Sequence, residues 1–286
     1  MDADQLIAAH RTRLFGIAYR MLAEVGEAED AVQETFLRWS QADRAEVDNP
    51  AGWLTTVLTR ICLDRLKSAQ HRRETYVGPW LPEPVATDTR DPGDDAALAD
   101  SLSLAFLVVL ERLSPLERAA FLLHDVFGYT HDEVAAMLER SPAAVRQVAA
   151  RARSHLAEER PRYDHDAERR EVATRAFVAA VAGADLDALM AVLAPDVVFV
   201  ADGGGVVAAA RHPQHGADRV GQVIMSLARR RPPDWSFEVR ELNGQPGITV
   251  RRADGTIDSA WVLHAVGDRL VRIDVLRNPA KLAGLR

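Results

Sequence analysis

The hydrophobic periodicity of this chain changes near residue 166, and this change limits the folds that the chain can adopt. Before it, apolar residues recur at helical spacing. Two more helices are predicted after it, at about 167–182 and 185–193. A first strand follows at 196–201 and a further helix near 216–230. Period-2 runs then appear as "SFEVREL", "GITVRRA", "DSAWVLHAV" and "RLVRIDVLR". Amphipathic helices repeat every 3.6 residues and half-buried strands every second residue. The pattern therefore predicts a multidomain chain in which all-α domains precede an α+β domain with an antiparallel sheet.

A stretch rich in helix breakers divides the helical part in two. Residues 75–95, "TYVGPWLPEPVATDTRDPGDD", contain four prolines and two glycines among several acidic residues. This composition is typical of a linker. The chain is therefore divided into a helical block at 1–73, a linker at 74–96, a second helical block at 97–158 and the α+β domain at 166–286.

Composition excludes several classes of protein. The formal net charge of -7 argues against a uniformly basic surface, so any nucleic-acid binding must come from local patches. The single cysteine, Cys62, excludes an internal disulfide and is expected to be a buried apolar residue. The sequence shows neither a signal peptide nor the run of about 18 apolar residues that a membrane helix needs. We expect a cytoplasmic protein with no membrane partner.

The segment 114–157 carries the signals of a helix-turn-helix. Ser114 with Glu117, and Thr130 with Glu133, have the spacing of capping boxes, and Ser141-Pro142 starts a third helix. Two short helices joined by a short turn, the second of them basic, predict this motif. A solvated basic helix face is the alternative for the arginines alone, but the capped helices before them favour DNA binding.

The basic helix offers two kinds of DNA contact. Its first half presents short or hydrogen-bonding side chains that can approach base edges in a major groove, among them Ala144, Arg146 and Gln147. Its second half presents Arg151 and Arg153, which are better placed for phosphates.

Two helices of the first block have outer faces rich in charged and polar residues. "EAEDAVQETFLRW" at 27–39 has an apolar stripe of Ala28, Val32 and Phe36. Its other faces carry Asp30, Gln33, Glu34 and Arg38. A helix capped by Asn49 and opened by Pro50 follows, and its outer face is predicted to carry Thr55, Thr56, Thr59, Arg60, Asp64 and Lys67. A basic, threonine-bearing helix of this kind can hold a separated nucleic-acid strand.

These segments together resemble one family. "AEDAVQETFLRW", the Asn-Pro-x-x-Trp-Leu start at 49–54 and the helix-turn-helix resemble an extracytoplasmic-function (ECF) sigma factor of the sigma-70 family, over residues 6–157. The resemblance implies RNA polymerase core and promoter DNA as partners, and no cofactor. It implies polymerase binding by the acidic helix around Asp30, Gln33, Glu34 and Arg38. It also implies that the loop 41–48, Asn49, Thr56, Arg60, Asp64 and Lys67 read and open the minus-ten element, and that Ala144, Arg146, Gln147, Arg151 and Arg153 bind the minus-thirty-five element.

Three further motifs resemble those of sigma factors with a fused SnoaL-like domain, which belongs to the cone-shaped NTF2-like superfamily. They are "WLPEP" at 80–84, "DGGG" at 202–205 and "NPAKL" at 278–282. We expect the two C-terminal motifs to dock on one of the helical blocks or on the "WLPEP" linker and so to regulate the chain in cis. The residues expected to act in this way are Trp80, Leu81, Pro82, Glu83, Pro84, Asp202, Gly203, Gly204, Gly205, Asn278, Pro279, Lys281 and Leu282. The chain departs from the family pattern at Val206, where lysine is usual, and at Ala280, where an acid is usual.

The three glycines predict a tight hairpin with positive φ and not a phosphate loop. The residues after them, 206–210, are apolar and suit a returning strand, and no Gly-Lys-Ser/Thr follows. His212 and His215 are expected on a surface loop, because no Cys or acid cluster accompanies them. Phe199, Trp235 and Trp261 are predicted to line the cone, whose interior could hold an unknown small ligand. Asp202, Asp258, His264 and Asp274 could be catalytic if they point into the cone, but exposure is expected for the acids.

Two other functions remain open from the residues. One is a SnoaL-type small-molecule enzyme or ligand-binding domain fused to a DNA-binding module, and the other is a free-standing helix-turn-helix repressor. The acidic linker is predicted to run near the nucleic-acid path of the polymerase, with Glu83, Asp88, Asp91, Asp94 and Asp95 resembling a polyanion. The alternative is a simple spacer. The favoured interpretation is a sigma factor without catalytic activity, whose C-terminal domain regulates it.

Overall fold

A computed structural model describes residues 3–87, 103–157 and 167–285. The chain forms two compact units, one of Met1–Thr75 with Phe106–Arg160, and one of Tyr76–Ala105 with Pro161–Arg286. The described part of the predicted linker, residues 76–87, therefore packs with the C-terminal domain. We call these residues the arm.

Unit 1 is built from helices. In its first block these are α1 (Ala3–Leu22), α2 (Val25–Gln41), a 3-10 turn (Arg44–Glu46) and α3 (Pro50–Glu74). The second block contains α4 (Leu104–Leu110), α5 (Pro115–Phe121) continuing into a π-helical turn (Leu122–Val126), α6 (His131–Leu138) and α7 (Pro142–Ala157). Ala28 and Val32 of α2 are buried as the apolar stripe predicts, and Phe36 is half-buried.

Side-chain caps fix where the helices of the second block begin and end. Both predicted capping boxes are present, with Glu117 reciprocating Ser114 and Glu133 reciprocating Thr130. Each box satisfies amide groups that the first turn of a helix leaves without partners. Gly128, at φ +75°, follows the π-helical turn, and Glu139, at φ +53°, ends α6 in the left-handed region. The helix-turn-helix prediction agrees with this geometry.

Unit 2 places helices against a six-stranded sheet. Its helices are α8 (Ala167–Ala182), α9 (Leu186–Val192), α10 (Ala217–Arg230) and α11 (Pro279–Leu282). Its strands are β1 (Leu193–Asp202), β2 (Gln214–His215), β3 (Ser236–Leu242), β4 (Gln245–Arg251), β5 (Ile257–Val266) and β6 (Arg269–Leu276), in the order β2-β1-β6-β5-β4-β3. The α+β prediction is correct.

The sheet is mixed, although the sequence predicted an antiparallel one. β3 to β6 form successive antiparallel pairs, but β1 and β6 run parallel, with Phe199 opposite Ile273. Period-2 patterning specifies which face of a strand is buried and says nothing about strand direction. The parallel pair arises because β6 returns beside β1 after a helix and three hairpins.

One face of the sheet packs against the helices of unit 2. Phe199 of β1, Leu263 of β5 and Ile273 of β6 are buried there with Phe177 of α8. The ring of Trp261 packs against this core, 6.0 Å from the ring of Phe199, so these two aromatic residues lie where the sequence predicts. Trp235 does not belong to this core. It precedes β3 in a loop, where strand alternation does not apply, and the guanidinium of Arg252 lies 5.5 Å from its ring centre.

Within the parts of the chain that the structure describes, no helix combines the length and apolar character that a bilayer span requires.

Candidate functional site

The basic helix α7 is held by its apolar face and presents its polar face to solvent. Ser141 Oγ accepts a hydrogen bond from the Ala144 N–H at 3.2 Å and caps the helix start. Its buried face consists of Val145, Val148, Ala149, Ala152 and Leu156. Arg146, Gln147, Arg151 and Arg153 are exposed and Ala144 is half-buried. The side chains predicted to bind DNA are therefore accessible within unit 1.

Two arginines of α7 lie near acidic residues. Arg153 Nε donates to Asp125 Oδ1 at 2.7 Å, whereas Arg151 Nε lies 3.7 Å from Glu117 Oε1. Such surface pairs contribute about 0–1 kcal/mol each, so a DNA phosphate can compete for these arginines.

The outer face of α2 carries charged side chains around one carboxylate. Asp30, Gln33 and Arg38 are exposed, and Glu34 is half-buried. Glu34 accepts hydrogen bonds from Arg38 Nη2 at 2.6 Å and from Arg65 Nη2 at 3.3 Å. Arg65 also binds Glu27 Oε2 at 2.9 Å. Two arginines therefore hold the side chain of Glu34, while Asp30 and Gln33 remain exposed to a binding partner.

The face of α3 differs from the sequence expectation at two threonines. Arg60, Asp64 and Lys67 are exposed and Thr56 is half-buried, but Thr55 and Thr59 are buried. Their hydroxyls donate to the carbonyls of Ala51 and Thr55, at 2.9 and 2.8 Å. A threonine that satisfies its hydroxyl on the preceding turn can face a core, which the expectation that both residues face outward overlooked.

Asn49 caps α3, because its Oδ1 accepts the Gly52 N–H at 3.0 Å. Lys67 Nζ and Asp64 Oδ1 pair at 3.0 Å on the exposed side of the same helix.

The two helical blocks of unit 1 pack against each other through a buried arginine. Arg118 of α5 donates from Nη1 to the Met21 carbonyl of α1 at 2.7 Å and to Glu111 Oε1 at 2.8 Å. It is 2% exposed, so these contacts replace part of its hydration. At the edge of the same packing, Arg60 pairs with Glu139 at 2.9 Å, and the hydroxyls of Thr55 and Tyr129 lie 3.0 Å apart.

In unit 2 the three signature motifs meet at the carboxylate of Asp202. This residue is 0% exposed. Its Oδ1 accepts the Tyr76 hydroxyl at 2.6 Å and the Gly204 N–H at 3.0 Å. Its Oδ2 accepts the Leu81 N–H at 2.9 Å and the ammonium of Lys281 at 2.8 Å. These four donors match the acceptor capacity of an ionised carboxylate.

The side chain of Lys281 is also buried. Its Nζ also donates to the Leu81 carbonyl at 2.5 Å and lies 4.1 Å from the ring centre of Trp80. The ring centre of Tyr76 lies 5.1 Å away. Two aromatic faces, a carbonyl and a carboxylate therefore replace water around a charge that would otherwise be costly to bury.

Asn278 completes this group of contacts. Its Nδ2 donates to the Tyr76 hydroxyl at 3.0 Å, and its own N–H donates to the Asp202 carbonyl at 3.1 Å. Its Oδ1 accepts the Ala280 N–H at 3.1 Å and caps α11. We call the resulting group the clasp, which consists of Tyr76, Trp80, Leu81, Asp202, Gly204, Asn278 and Lys281.

The remaining motif residues lie around the clasp. Leu81, Pro82, Pro84 and Leu282 are buried, Glu83 is half-buried and Pro279 is exposed at the start of α11.

The glycines after Asp202 form a turn, as the sequence predicts. Gly204 and Gly205 have φ of +63° and +72°, and the amides of Val206 and Val207 both donate to the Gly203 carbonyl. A Cβ on Gly204 would lie 2.4 Å from Asn278 Nδ2. The glycine therefore permits both the backbone conformation and the close approach of Asn278.

The predicted strand that returns directly after the glycines is wrong. β1 pairs on this side with β2, which spans only Gln214–His215. The intervening residues form a loop, and Arg277 Nη1 donates to the Ala208 carbonyl within it at 2.6 Å. A side-chain contact from the end of β6 thus replaces a strand ladder, and apolar composition alone did not distinguish the two.

The distal end of the arm continues along the sheet. Thr87 N–H donates to the Glu241 carbonyl at 3.1 Å, and Asn243 N–H donates to the Val85 carbonyl at 2.8 Å. Val85 N–H in turn donates to Asn243 Oδ1 at 2.9 Å. Four of the acids predicted to resemble a polyanion, Asp88, Asp91, Asp94 and Asp95, lie outside the described residues.

The polar residues considered as catalytic lie on the sheet face opposite the core. Trp261, Leu263 and Ala265 of β5 pack in or against the core, so the alternate residue His264 points away from it. Asp274 alternates in the same way with Ile273 and Val275 of β6. Asp202 and Asp258 follow the same alternation, in β1 and β5. By this alternation, these four side chains do not point into the core face of the sheet.

These acids are also buried, although exposure was expected. His264 Nε2 lies 2.9 Å from Asp274 Oδ2, and Arg272 Nη2 lies 2.8 Å from Asp274 Oδ1. Burial raises the pKa of Asp274, but the charge of Arg272 and the hydrogen bond to His264 outweigh it and hold the pKa at about 2. Asp258, 6% exposed, binds Arg252 at 2.8 Å and Arg277 at 3.2 Å. Sequence reasoning could not find these partners, because no local signal links them.

The remaining candidates behave as ordinary structural residues. His212 and His215 are exposed, and no group of His, Cys, Asp or Glu among the described residues could hold a metal ion. Cys62 is fully buried, and burial raises the pKa of its thiol, so the thiolate that reacts or binds metal is disfavoured.

Unit 1 combines the exposed basic helix of a helix-turn-helix with a helical block whose outer faces are polar. This combination is typical of DNA-binding proteins. Three families match in succession: Sigma-70 region 2 at residues 6–72, Sigma-70 region 4 at 103–156 and the SnoaL-like domain at 174–275. The ECF RNA polymerase sigma factor SigJ of Mycobacterium tuberculosis is 44% identical over 292 residues, covering 96% of this chain and 92% of that protein. The probable ECF RNA polymerase sigma factor SigI of the same species is 36% identical, covering 97% of this chain and 94% of that protein.

A solved structure agrees with these relatives. The crystal structure of Mycobacterium tuberculosis SigJ matches with a TM-score of 0.77 at 35% identity, over 96% of each chain. The chain belongs to the ECF sigma factors of the sigma-70 family, in the group that carries a C-terminal SnoaL-like domain.

Sequence reasoning missed two residues that matter for the clasp and its loop. Tyr76 precedes "WLPEP" and provides the hydroxyl that joins Asp202 to Asn278, and Arg277 precedes "NPAKL" and binds the loop after the glycines. Their position directly beside the motifs was the available signal.

Proposed function

We propose that this chain is the promoter-recognition subunit of an RNA polymerase, and that its SnoaL-like domain regulates it in cis. The observation that carries the first part is the capped helix-turn-helix, whose recognition helix exposes Arg146 and Gln147 on its early turns. Such positions reach base edges in a major groove. Membership in the ECF sigma factors supplies the partners, which are polymerase core and promoter DNA.

Helices α2 and α3 of the first block provide the other two functions, polymerase binding and action at the minus-ten element. Asp30, Gln33, Glu34 and Arg38 lie on α2 and bind the polymerase. Asn49, Thr56, Arg60, Asp64 and Lys67 lie at the start and along the outer side of α3 and act at the minus-ten element. Asn49 acts there through its cap, which sets where α3 begins. Arg60 binds DNA only after it separates from Glu139, which costs little because both side chains are substantially exposed.

The clasp supports the regulatory role. The arm begins directly after α3, at the start of the connection between the two DNA-binding blocks. Asp202 and Lys281 hold it on the C-terminal domain through buried, charge-assisted hydrogen bonds. Because the arm and its binding site belong to one chain, the effective concentration is high and even a weak contact persists. Closing or opening the clasp thus changes how freely the two blocks can separate.

The C-terminal domain acts without catalysis in this proposal. Asp258 and Asp274 lie on the sheet face opposite the core and are paired with arginines. A small ligand in the cone would regulate the clasp only by its differential affinity for the closed and open states.

Promoter-dependent transcription with polymerase core tests the proposal. The full-length chain is compared with a chain cut near residue 165 and with Asp202→Asn/Lys281→Met, which loosens the clasp without leaving a charge in it. The matched control is Asp187→Asn, an exposed residue of α9. We expect transcription by the full chain, and altered activity in both altered chains but not in the control. Absence of transcription by every form refutes the sigma function, whereas equal activity in all four refutes the regulation. Turnover of a small substrate by the full chain would support the enzyme alternative.

A further inference from the structure

Two histidines lie face to face beside the recognition helix. The ring centres of His124, in the π-helical turn, and His131, the first residue of α6, are 3.8 Å apart with their planes inclined by 38°. Both rings are half-buried. Neither residue was singled out by the sequence, and neither has a role in the function proposed above.

The surroundings of this pair are cationic. Arg146 and Arg153, two turns apart on one side of α7, both act electrostatically on His131. Asp125 of the π-helical turn is the acidic group facing the pair, and its carboxylate is bound to Arg153 at 2.7 Å. Arg146 has no carboxylate partner among the described residues. The cluster therefore has an excess positive charge even when both histidines are neutral.

The hydrogen bond of His124 fixes its tautomer. His124 Nδ1 lies 2.7 Å from the Tyr129 carbonyl oxygen, which can only accept. Nδ1 therefore carries the hydrogen, and a second proton would enter at Nε2. Partial burial, the neighbouring His124 and the two guanidinium groups lower the pKa of His131, against a smaller opposing effect of Asp125. An anion bound beside these groups would favour the protonated form of His131.

We propose that His124 and His131 form, together with Arg153 and in the field of the base-reading Arg146, a binding site for a phosphate of the DNA backbone that takes up a proton when DNA binds. The inference rests on the proposed function of α7 in binding DNA. A phosphate supplies the counter-charge that the cluster lacks, and imidazolium and guanidinium groups both donate to phosphate oxygens. Because the bound state holds more protons than the free state, affinity for DNA rises as pH falls through the range in which histidine titrates. Since phosphate contacts carry no sequence information, the effect is common to all DNA sequences.

The experiment measures binding of the full chain to a short fluorescein-labelled duplex by anisotropy, at constant low salt, from about pH 8 to about pH 5.5. Because each unit of pKa shift is worth a factor of ten, we expect binding to strengthen by about tenfold across this range. The double variant His124→Gln/His131→Gln should bind like the unaltered chain at the high end and lose most of the gain at the low end. A histidine with a merely structural role would weaken binding at every pH.

Two further variants complete the test. His131→Lys carries a permanent charge at the same half-buried helix start and should bind tightly at both ends of the range. His10→Gln removes a histidine of α1, outside the cluster, and should retain the full pH dependence. Circular dichroism checks that each variant is folded. Equal pH dependence in the unaltered chain and the double variant overturns this inference and leaves the proposed function standing. Absence of DNA binding by the unaltered chain at every pH overturns both.

Discussion

Lys281 Nζ lies 2.8 Å from Asp202 Oδ2, and the two side chains are 8% and 0% exposed. They come from different elements of unit 2, since Asp202 ends β1 and Lys281 lies in α11. The Leu81 backbone joins them, because its N–H donates to Asp202 and its carbonyl accepts from Lys281. This ion pair, together with the Leu81 backbone, therefore connects the arm to the C-terminal end of β1 and to α11.

The first prediction concerns the energetic coupling of this pair. Asp202→Ala leaves the ammonium of Lys281 buried without its counter-charge, and we expect a loss of about 3–5 kcal/mol in the free energy of unfolding of unit 2. Lys281→Met leaves Asp202 with three other donors and should cost less. The double variant should be less destabilised than the sum of the two, as measured by urea denaturation of the full chain. If the losses in unfolding free energy of the two single variants added up to that of the double variant, Asp202 and Lys281 would not be directly coupled. Asp187→Ala, at an exposed position, is the control.

The second prediction separates close packing from backbone strain at the clasp. Gly204 and Gly255 both have positive φ, +63° and +84°, but a Cβ on Gly204 meets Asn278 whereas one on Gly255 meets nothing within 4 Å. Gly255→Ala should cost roughly 1–2 kcal/mol, the strain of a left-handed residue. Gly204→Ala should cost more, and the excess should disappear in an Asn278→Ala background. Equal losses at the two glycines would show that the approach of Asn278 contributes nothing.

The third prediction follows from the lowered pKa of Asp274. Its folded-state pKa of about 2 lies below the ordinary value of 3.8, so the unfolded chain binds more protons between these values. The carboxylate therefore contributes roughly 2 kcal/mol above about pH 4, and this stability is lost as pH falls through about pH 2. Asp274→Asn should flatten the pH dependence of unit 2 stability in this window. Asp196→Asn, at an exposed position of β1, should not, and the same profile for both variants would exclude the paired carboxylate as the cause.

The fourth prediction distinguishes two arginines of α7. Arg146→Ala should weaken binding to some promoter sequences by about 1–3 kcal/mol and relax specificity there, because this residue is expected to read bases. Arg151→Ala should weaken binding uniformly and reduce the salt dependence by about one phosphate contact. Both are measured on a set of upstream-element variants with the polymerase holoenzyme. A uniform loss for Arg146→Ala would assign it to the backbone.

The fifth prediction concerns the buried arginine of unit 1. Arg118→Ala removes the donor to the Met21 carbonyl and leaves Glu111, 17% exposed, without this counter-charge. We expect a loss of about 3–5 kcal/mol in unit 1 stability. Arg140→Ala, on the exposed turn after α6, should change stability by less than about 0.5 kcal/mol. Chemical denaturation measures both, and similar small effects would show that the packing does not depend on Arg118.

Local chemistry made the helices predictable. Ser114 with Glu117 and Thr130 with Glu133 signal helix starts within four residues, and the structure contains both capping boxes. Period-2 runs likewise predicted β3 to β6, because alternation records which face of a strand is buried. The fold class and the exposed face of α7 followed from such short-range signals.

Long-range partners were not predictable in the same way. Asp202 binds Leu81, which is 121 residues away, and Lys281, which is 79 residues away. An aspartate beside three glycines reads locally as an exposed turn residue, and its burial depends on donors from the arm and from α11. The resemblance of the three motifs indicated that they act together, and only the structure shows which atoms do so. The parallel pairing of β1 with β6 escaped prediction for the same reason. The burial of Thr55 and Thr59 was missed for a local reason, since each hydroxyl is satisfied by a carbonyl of the preceding turn.

The packing of the two helical blocks through Arg118 has a consequence for the length of DNA that unit 1 can cover. A compact unit of about 130 residues has a radius of gyration of roughly 14 Å, which corresponds to a body about 36 Å across. The minus-ten and minus-thirty-five elements are separated along the duplex by about 85 Å at 3.4 Å per base pair. In the packed arrangement unit 1 is shorter than this interval, so under the proposed function α3 and α7 cannot occupy both elements at once. We therefore expect engagement of a whole promoter to require the Arg118 contact with Met21 to break, with the free energy of that contact subtracted from the affinity for DNA.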